Sequence, residues 1–439
     1  MTFTAMSTLT TQRRTAARAA VVPQQLGRVS GLLGLRVTVS GVAAALGDLL
    51  EVRGAAGLVP VEVVASEYGV LTCLPLAETT GLRVGDHVEA SGLGLRISVG
   101  DELRGRVLDG LGRPIDGGPS LAHLPQVVVN NETPNALLRP RIDQQLSLGV
   151  RAMDSLTACG RGQRLGIMAG SGVGKSSLLS MIARGTDAEI SVIALIGERG
   201  REVREFLEND LGPEGLARSI VIVATSDEPP VVRLRAAFVA TRVAEWFRDA
   251  GRHVVLMMDS LTRVALAQRE IGLSAGEPPA TRGFPPSVFA MLPQLLERAG
   301  TSPTGSITGL YTVLVEGDDM QDPIGDSARS ILDGHIVLTR ELATAGHFPS
   351  IDVLESISRV SAIVSPEGKQ DAQRLRRMLA AYRNVKELVE IGAYAAGSDP
   401  DADLALALMP AIEAFLRQDM DDVTAAPDTW AALHQLVTT

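Results

Sequence analysis

The sequence predicts a three-part chain: a small β module, an α/β core built on a parallel sheet, and a helical tail. Three observations predict it. Short β-branched runs punctuated by glycine fill residues 24–95. From about residue 160, continuous apolar runs alternate with helical patterns. Residues 371–439 carry apolar side chains three or four apart. At 439 residues, the chain has room for two to four domains of roughly 100–200 residues each.

Composition removes several function classes. Hydrophobic residues are 45% and charged residues 21%, which suits a globular protein and not a disordered one. No apolar run approaches the roughly 18 residues of a membrane span. A formal net charge of −10 and 3% aromatics argue against a nucleic-acid partner. Cys73 and Cys159 lie far apart, with no metal spacing and no disulfide framework, and point to a reducing, cytosolic compartment. Lysine occurs only at Lys175, Lys369 and Lys386, so a lysine in a demanding position is informative.

Residues 1–23 read as an N-terminal arm rich in Thr, Ala and Arg. They lack the apolar region of roughly 7–15 residues that a secretory signal needs, and Arg13-Arg14 lacks the hydrophobic part of a twin-arginine signal. The first acidic residue is Asp48, whereas Arg13, Arg14, Arg18, Arg28 and Arg36 precede it. The arm is either a solvated segment or a short helix that docks on an acidic partner. Residues 24–95 then alternate around Val37 and Val39, 49–52 and 60–64, with turns at Gly41, Gly47, Gly54, Gly57 and Gly69. Closely spaced strands with glycine turns predict a small barrel or sandwich. Residues 105–114 read as a turn-rich connection.

The core is assigned to residues 96–368. Strands are expected at 164–169, 190–196, 219–224, 253–258, 307–315 and 335–338. Helices are expected at 175–184 and 232–250, the latter through Leu234, Phe238, Val243 and Phe247. Continuous apolar strands between helices imply a parallel sheet covered on both faces. Residues 369–439 form the helical tail. Leu375, Met378, Leu379, Tyr382, Val385, Leu388 and Val389 make one stripe, and Ser398-Asp399-Pro400 breaks it before a second helix near Asp403.

The chemistry concentrates at residues 169–177, Ala169-Gly170-Ser171-Gly172-Val173-Gly174-Lys175-Ser176-Ser177. The run lies between a predicted strand and a predicted helix, the setting a phosphate loop requires. Its glycines let backbone N–H groups curl toward phosphate oxygens, and the helix start presents its positive dipole end. Lys175 would reach the β- and γ-phosphates of a nucleotide, and the Ser176 hydroxyl would ligate Mg²⁺. The strict pattern has Gly where this chain has Ala169. Asp259 ends a buried apolar run and would hold the Mg²⁺ shell at the carboxyl end of the sheet. Its alternative is a helix N-cap. Glu198 follows the strand 190–196 and faces the same crevice, where it would accept a proton from an attacking water. Its alternative is a solvated turn.

Together these stretches resemble the catalytic subunits of rotary ATP synthases and their relatives. The carriers are the phosphate loop, Gly197 to Phe206 and Asp259-Ser260-Leu261-Thr262-Arg263. Residues 276–289 and 311–340 are similar to the ATPases of type III protein export, and 321–329 is nearer the flagellar than the injectisome branch. The family commonly has Asn at Gln321 and Ala at Gly325. Catalytic synthase subunits usually carry Thr where this chain has Ser176.

The resemblance implies a RecA-like P-loop NTPase core with an N-terminal β-barrel and a C-terminal helical domain, hydrolysing ATP with Mg²⁺. It implies that Glu198 is the catalytic glutamate and that Arg359 is an arginine finger inserted into the neighbouring subunit's site. On sequence alone Arg359 could equally be a surface arginine. Phe348 matches an aromatic that packs on adenine, or is a core phenylalanine. Arg199 would position phosphate or the adjacent loop.

A finger in trans implies a ring, and the resemblance implies that the ring is a homohexamer with residues 272–287 facing its channel. The expected partners are a regulator dimer at the N-terminal arm, a central stalk protein, the export gate and chaperone–substrate complexes. The expected place is cytoplasmic, peripheral to the inner-membrane export apparatus. The resemblance makes a flagellar export ATPase the leading reading and its injectisome counterpart the runner-up; a rotary synthase subunit, an RNA-dependent translocase and a non-catalytic ring subunit are the further competing readings.

Overall fold

The computed structural model describes residues 26–315 and 322–438. The expected N-terminal arm, and residues 316–321 of the export-type stretch, lie outside the described residues. The chain divides into two compact units at Leu95/Arg96.

The first unit is a closed six-stranded barrel. Its strands are β1 (Leu26–Leu33), β2 (Arg36–Ser40), β3 (Asp48–Gly54), β4 (Gly57–Glu67), β5 (Val70–Pro75) and β6 (His87–Gly94). They pair in the order β1-β2-β5-β4-β3-β6, and β1 against β6 closes the ring. Closure, rather than a sandwich, settles the alternative left by the sequence. Alternation explains the inside: Val29, Val37, Val39, Leu50, Val52, Val61, Val63, Cys73 and Val88 all point inward.

The second unit is built on one large sheet. Its strands are β7 (Val107–Asp109), β8 (Arg164–Ala169), β9 (Ile190–Ile196), β10 (Ser219–Ala224), β11 (His253–Asp259), β12 (Ser306–Leu314), β13 (Gly334–Leu338) and β14 (Ile351–Ser358). They lie in the order β14-β13-β8-β12-β11-β9-β10-β7, with Gly300–Thr301 paired to β12. All neighbours from β13 to β7 are parallel, and β14 is antiparallel to β13. Every residue of β9 is buried, as expected for a strand covered on both faces. Helices Lys175–Gly185, Pro230–Asp249 and Leu261–Ala275 connect the strands.

Two edges depart from the sequence reading. The glycine-dense stretch 105–114 is not only a connection, because Val107–Asp109 adds an edge strand to the sheet. Three residues are too few for a readable alternation. Their anchor is a distant carboxylate: Asp116 accepts from Nε and Nη2 of Arg106 at 2.7 and 2.8 Å and from the Val107 N–H at 2.9 Å. The other edge, β14, has no apolar run that marks it.

The tail holds three helices, Lys369–Glu390, Pro400–Leu416 and Ala426–Thr438, where two were expected. Asp399 caps the second, accepting from the N–H groups of Asp401 and Ala402. Leu375, Met378, Ile412 and Leu433 join the same apolar cluster as Leu165 and Ile167 of the sheet. Among the described residues, no helix is long and apolar enough to cross a membrane.

Candidate nucleotide site

Parallel register brings the carboxyl ends of β8, β9 and β11 to one level. Leu195 pairs with Asp259, and Ala169 pairs with Leu314 and Leu338. The loop after β8 turns through Gly172 and Gly174 at φ +74° and +89°, a region that side chains other than glycine enter at a cost. Ala169 is the last residue of β8, is buried, and has no positive φ, so its methyl costs no backbone strain. That explains why the departure from the strict glycine pattern is tolerated.

Lys175 opens the helix after the loop and points into a charged cluster. Its Nζ lies 2.6 Å from Asp259 Oδ1 and 3.2 Å from Glu198 Oε1. The three side chains are 12%, 3% and 16% exposed. Burial works against the charged lysine, but Asp259 and Glu198 outweigh it and hold its pKa above the ordinary value. Burial pushes the Asp259 carboxyl upward, Lys175 opposes this, and Glu198 adds to it. Two carboxylates thus share one ammonium in a place with little water.

Ser260, not Asp259, caps the helix Leu261–Ala275, accepting from the Arg263 N–H. Asp259 is therefore free of the capping duty that was its alternative role. Its Oδ1 accepts instead from the Thr312 hydroxyl at 2.7 Å. Glu198 follows the turn at Gly197, whose φ is +73° and where a Cβ would press on Arg263. The Glu198 carbonyl accepts from the Ser226 N–H at 3.0 Å, fixing the carboxylate's backbone.

Ser176 and Ser177 lie in the first turn of the same helix, with Ser176 exposed. Ser176 and Asp259 offer hard oxygen donors, the chemistry that suits Mg²⁺. Among the described residues no group of three or more His, Cys, Asp or Glu forms a metal cage.

Other expected residues fall differently. Phe348 is 46% exposed, so it is not a core side chain, and its ring lies against Gly174 of the loop. Arg199 stays out of the cluster. It is the N-cap residue of the helix Gly200–Glu205, and its guanidinium reaches Glu202 at 3.5 Å from a solvated position.

Arg359 follows β14 at the opposite end of the sheet. Ile351 pairs with Leu338 beside the loop, but Ser358 pairs with Gly334. The four steps from Gly334 to Leu338 span roughly 13 Å at a strand's rise of about 3.3 Å per residue, more than an arginine side chain can cover. Arg359 cannot serve the phosphate loop of its own chain.

Sequence reasoning missed the residues that hold the loop. Thr312 braces Asp259, Arg340 donates to the Ser171 carbonyl at 3.2 Å, and the Ser350 hydroxyl donates to the Val173 carbonyl. A hydroxyl inside the apolar run 307–315 was the available signal for Thr312; Arg340 and Ser350 carried none.

Comparison with known proteins places this geometry. Residues 149–358 match the ATP synthase alpha/beta family, nucleotide-binding domain, and residues 364–435 match the T3SS EscN ATPase C-terminal domain. The flagellum-specific ATP synthase of Bacillus subtilis is 49% identical over 94% of this chain and 95% of its own length. The type 3 secretion system ATPase of Xanthomonas euvesicatoria is 50% identical over 93% of each chain. The solved structure of the assembled ATPase EscN from the enteropathogenic E. coli type III secretion system superposes with a TM-score of 0.87 and 46% identity, covering 94% of this chain and 100% of that one. A glycine-bent phosphate loop, an acidic strand end and a carboxylate one strand away thus sit on a backbone shared with ATPases along nearly the whole chain. The protein belongs to the family of flagellum-specific and type III secretion ATPases.

Proposed function

We propose that the protein hydrolyses ATP to ADP and phosphate as the motor of a flagellar type III export apparatus, in a homohexamer whose sites lie between subunits. The observation that carries this reading is the split of the charged groups. Lys175, Glu198 and Asp259 gather at the carboxyl end of the sheet, while Arg359 stands at the far end, out of reach of them. A complete site then needs the arginine of a second copy.

Lys175 exchanges its two carboxylate partners for phosphate oxygens when the nucleotide enters. Glu198, released from the ammonium, takes a proton from the water that attacks the γ-phosphorus. The bond to the bridging oxygen breaks, and its electron pair leaves with ADP. Ser176 and Asp259 would hold Mg²⁺, which neutralises phosphate charge. Loop residues 169–177 cradle the phosphates, and Phe348 lies where a base would stack. Arg359 of the adjacent subunit offsets the charge that develops on the transferred group.

The flagellar branch is favoured by the resemblance of residues 321–329 and by flagellum-specific relatives that align over 94–96% of the chain. The 50% identity to a type 3 secretion system ATPase makes the injectisome the second reading. Loss of motility on deletion of the gene supports the first, and intact motility the second. The proposed place is the cytoplasmic face of the inner membrane, with a regulator at the N-terminal arm, a stalk in the channel, and the gate and chaperone–substrate complexes as further partners. EscN itself has been solved with a central stalk, EscO.

The test is phosphate release against protein concentration for wild type, Glu198→Gln, Arg359→Ala and an equimolar mix of the two variants. Cooperative wild-type activity, two inactive variants and a mix that regains activity are expected. Wild-type rates in both variants would refute the assignment.

A further inference from the structure

Arg359 presents an unusual contrast between side chain and backbone. Its side chain is exposed, and among the described residues its guanidinium makes no hydrogen bond or ion pair. The chain beneath it is fixed by a polar network around one buried amide. The Arg359 N–H donates to the Asp333 carbonyl at 3.0 Å. The Asp333 carboxylate in turn accepts from the Arg164 N–H at 3.1 Å and from Arg164 Nε at 3.2 Å.

Gln163 sits at the centre of this network and is wholly buried. Its Nε2 donates to the Asp333 carbonyl at 3.2 Å and to the Ser358 hydroxyl at 3.0 Å. Its Oε1 accepts from the Gly160 N–H at 2.9 Å. The Ser358 hydroxyl passes its own proton to the Ala158 carbonyl at 2.8 Å. One amide thus ties the residue before Arg359, the carbonyl that holds Arg359, and the loop entering β8. That strand runs directly to the phosphate loop.

Buried amides of this kind are costly unless satisfied, and here both ends are satisfied. An apolar side chain would fill the same space without directing the strand end. The arrangement suits a task of orientation: a long, flexible cation gains reach and aim when its backbone cannot move.

We infer that Gln163 is a positioning residue for ATP hydrolysis, which fixes the backbone from which Arg359 enters the neighbouring subunit's site. The inference rests on the trans role of Arg359 proposed above. Gln163 touches no nucleotide and acts only through Ser358, Asp333 and Arg359.

The experiment measures kcat and KM for ATP in Gln163→Leu, Ser358→Ala and Arg359→Ala, each alone and mixed with Glu198→Gln chains. Gln163→Leu should lose on the order of 10- to 100-fold in kcat, as a small misplacement of a catalytic group does, with KM within about twofold of wild type. Ser358→Ala should shift kcat in the same direction by less, and it keeps the test open if the leucine variant does not fold. Mixing with Glu198→Gln should restore activity to both, because those chains supply a well-aimed Arg359 to intact sites.

An unchanged kcat in folded Gln163→Leu and in Ser358→Ala overturns the inference. So does rescue of Arg359→Ala by Glu198→Gln chains without rescue of Gln163→Leu and Ser358→Ala, which would mark a structural defect. Failure of the mix to rescue Arg359→Ala overturns the trans reading itself, and the inference with it.

Discussion

The two ends of the large sheet treat charge in opposite ways. At the carboxyl end, Glu198 and Asp259 share the single ammonium of Lys175 in a nearly closed cluster. At the amino end, Arg359 projects without a side-chain partner among the described residues, above a hydrogen-bonded platform of buried Gln163 with Ser358 and Asp333. The first end pairs its cation within one chain and is poised to exchange partners with a ligand. The second is satisfied only in its backbone and offers its charge outward. On the proposed trans reading, a self-contained fold carries a site that is incomplete by construction, because the missing charge is held for another copy to use.

The largest expected effect comes from deleting the outward charge. Arg359→Ala should lower kcat by roughly 10³–10⁵-fold, the range for a trans-acting arginine. Steady-state hydrolysis over a wide span of protein concentration checks it, and wild-type specific activity should rise with concentration. A concentration-independent rate in dilute protein would break the contrast between the two ends.

Within the inward cluster, Glu198→Gln should cost roughly 10²–10⁴-fold in turnover, the usual worth of a general base. Binding of ATP should survive, since the change acts on the chemical step. Lys175→Ala should also abolish turnover but should weaken nucleotide affinity as well, because it leaves two buried carboxylates facing the phosphates. Titration with a fluorescent ATP analogue separates the two variants. Equal affinity in both would mean that Lys175 does not contact the nucleotide.

Thr312→Val tests the brace behind Asp259. The hydroxyl hydrogen bond at 2.7 Å is lost while the shape is kept, and activity should fall by about tenfold, as for other partners behind a metal-binding carboxylate. The Mg²⁺ dependence of hydrolysis is the readout. An unchanged Mg²⁺ requirement would limit Thr312 to packing.

The smallest effect concerns the edge strand at the far side of the sheet. The Arg106 guanidinium, together with the N–H groups of Val107 and Gly118, holds the Asp116 carboxyl well below the ordinary carboxylate range. Its folded value lies below its unfolded one, so the stabilisation is fully present above about pH 4 and is lost as pH falls toward the depressed folded value. Asp116→Asn should cost about 1–3 kcal/mol at neutral pH, the scale of a charged hydrogen bond, and progressively less in acid. Urea midpoints for both proteins from pH 7 downward check it. A difference that does not shrink with acid would remove the ion pair from the account.

How far the sequence speaks depends on the range of the cause. Ala169 to Ser177 are legible because phosphate binding by a turn is local: glycines, a lysine and a helix start suffice. Strands such as Ile190–Ile196 are legible because burial on both faces leaves an uninterrupted apolar run. Glu198 and Asp259 could be named because each follows such a strand directly. The barrel strands were legible by alternation, but closure depended on β1 finding β6, some sixty residues away.

What only the tertiary structure decided are relations between distant segments. Val107–Asp109 becomes a strand because Asp116 and β10 hold it, not because of its own three residues. Asp259 is braced by Thr312 on a neighbouring strand, and the loop carbonyls by Arg340 and Ser350, which carry no local signature. The antiparallel return of β14 alone sends Arg359 to the far end of the sheet, since a strand's direction is set by its partner and not by its composition. Sequence determined which groups are candidates for the chemistry, because local backbone geometry demands their residue types. Folding determined which of them share an end of the sheet, because that is a matter of register and direction between strands far apart in the chain.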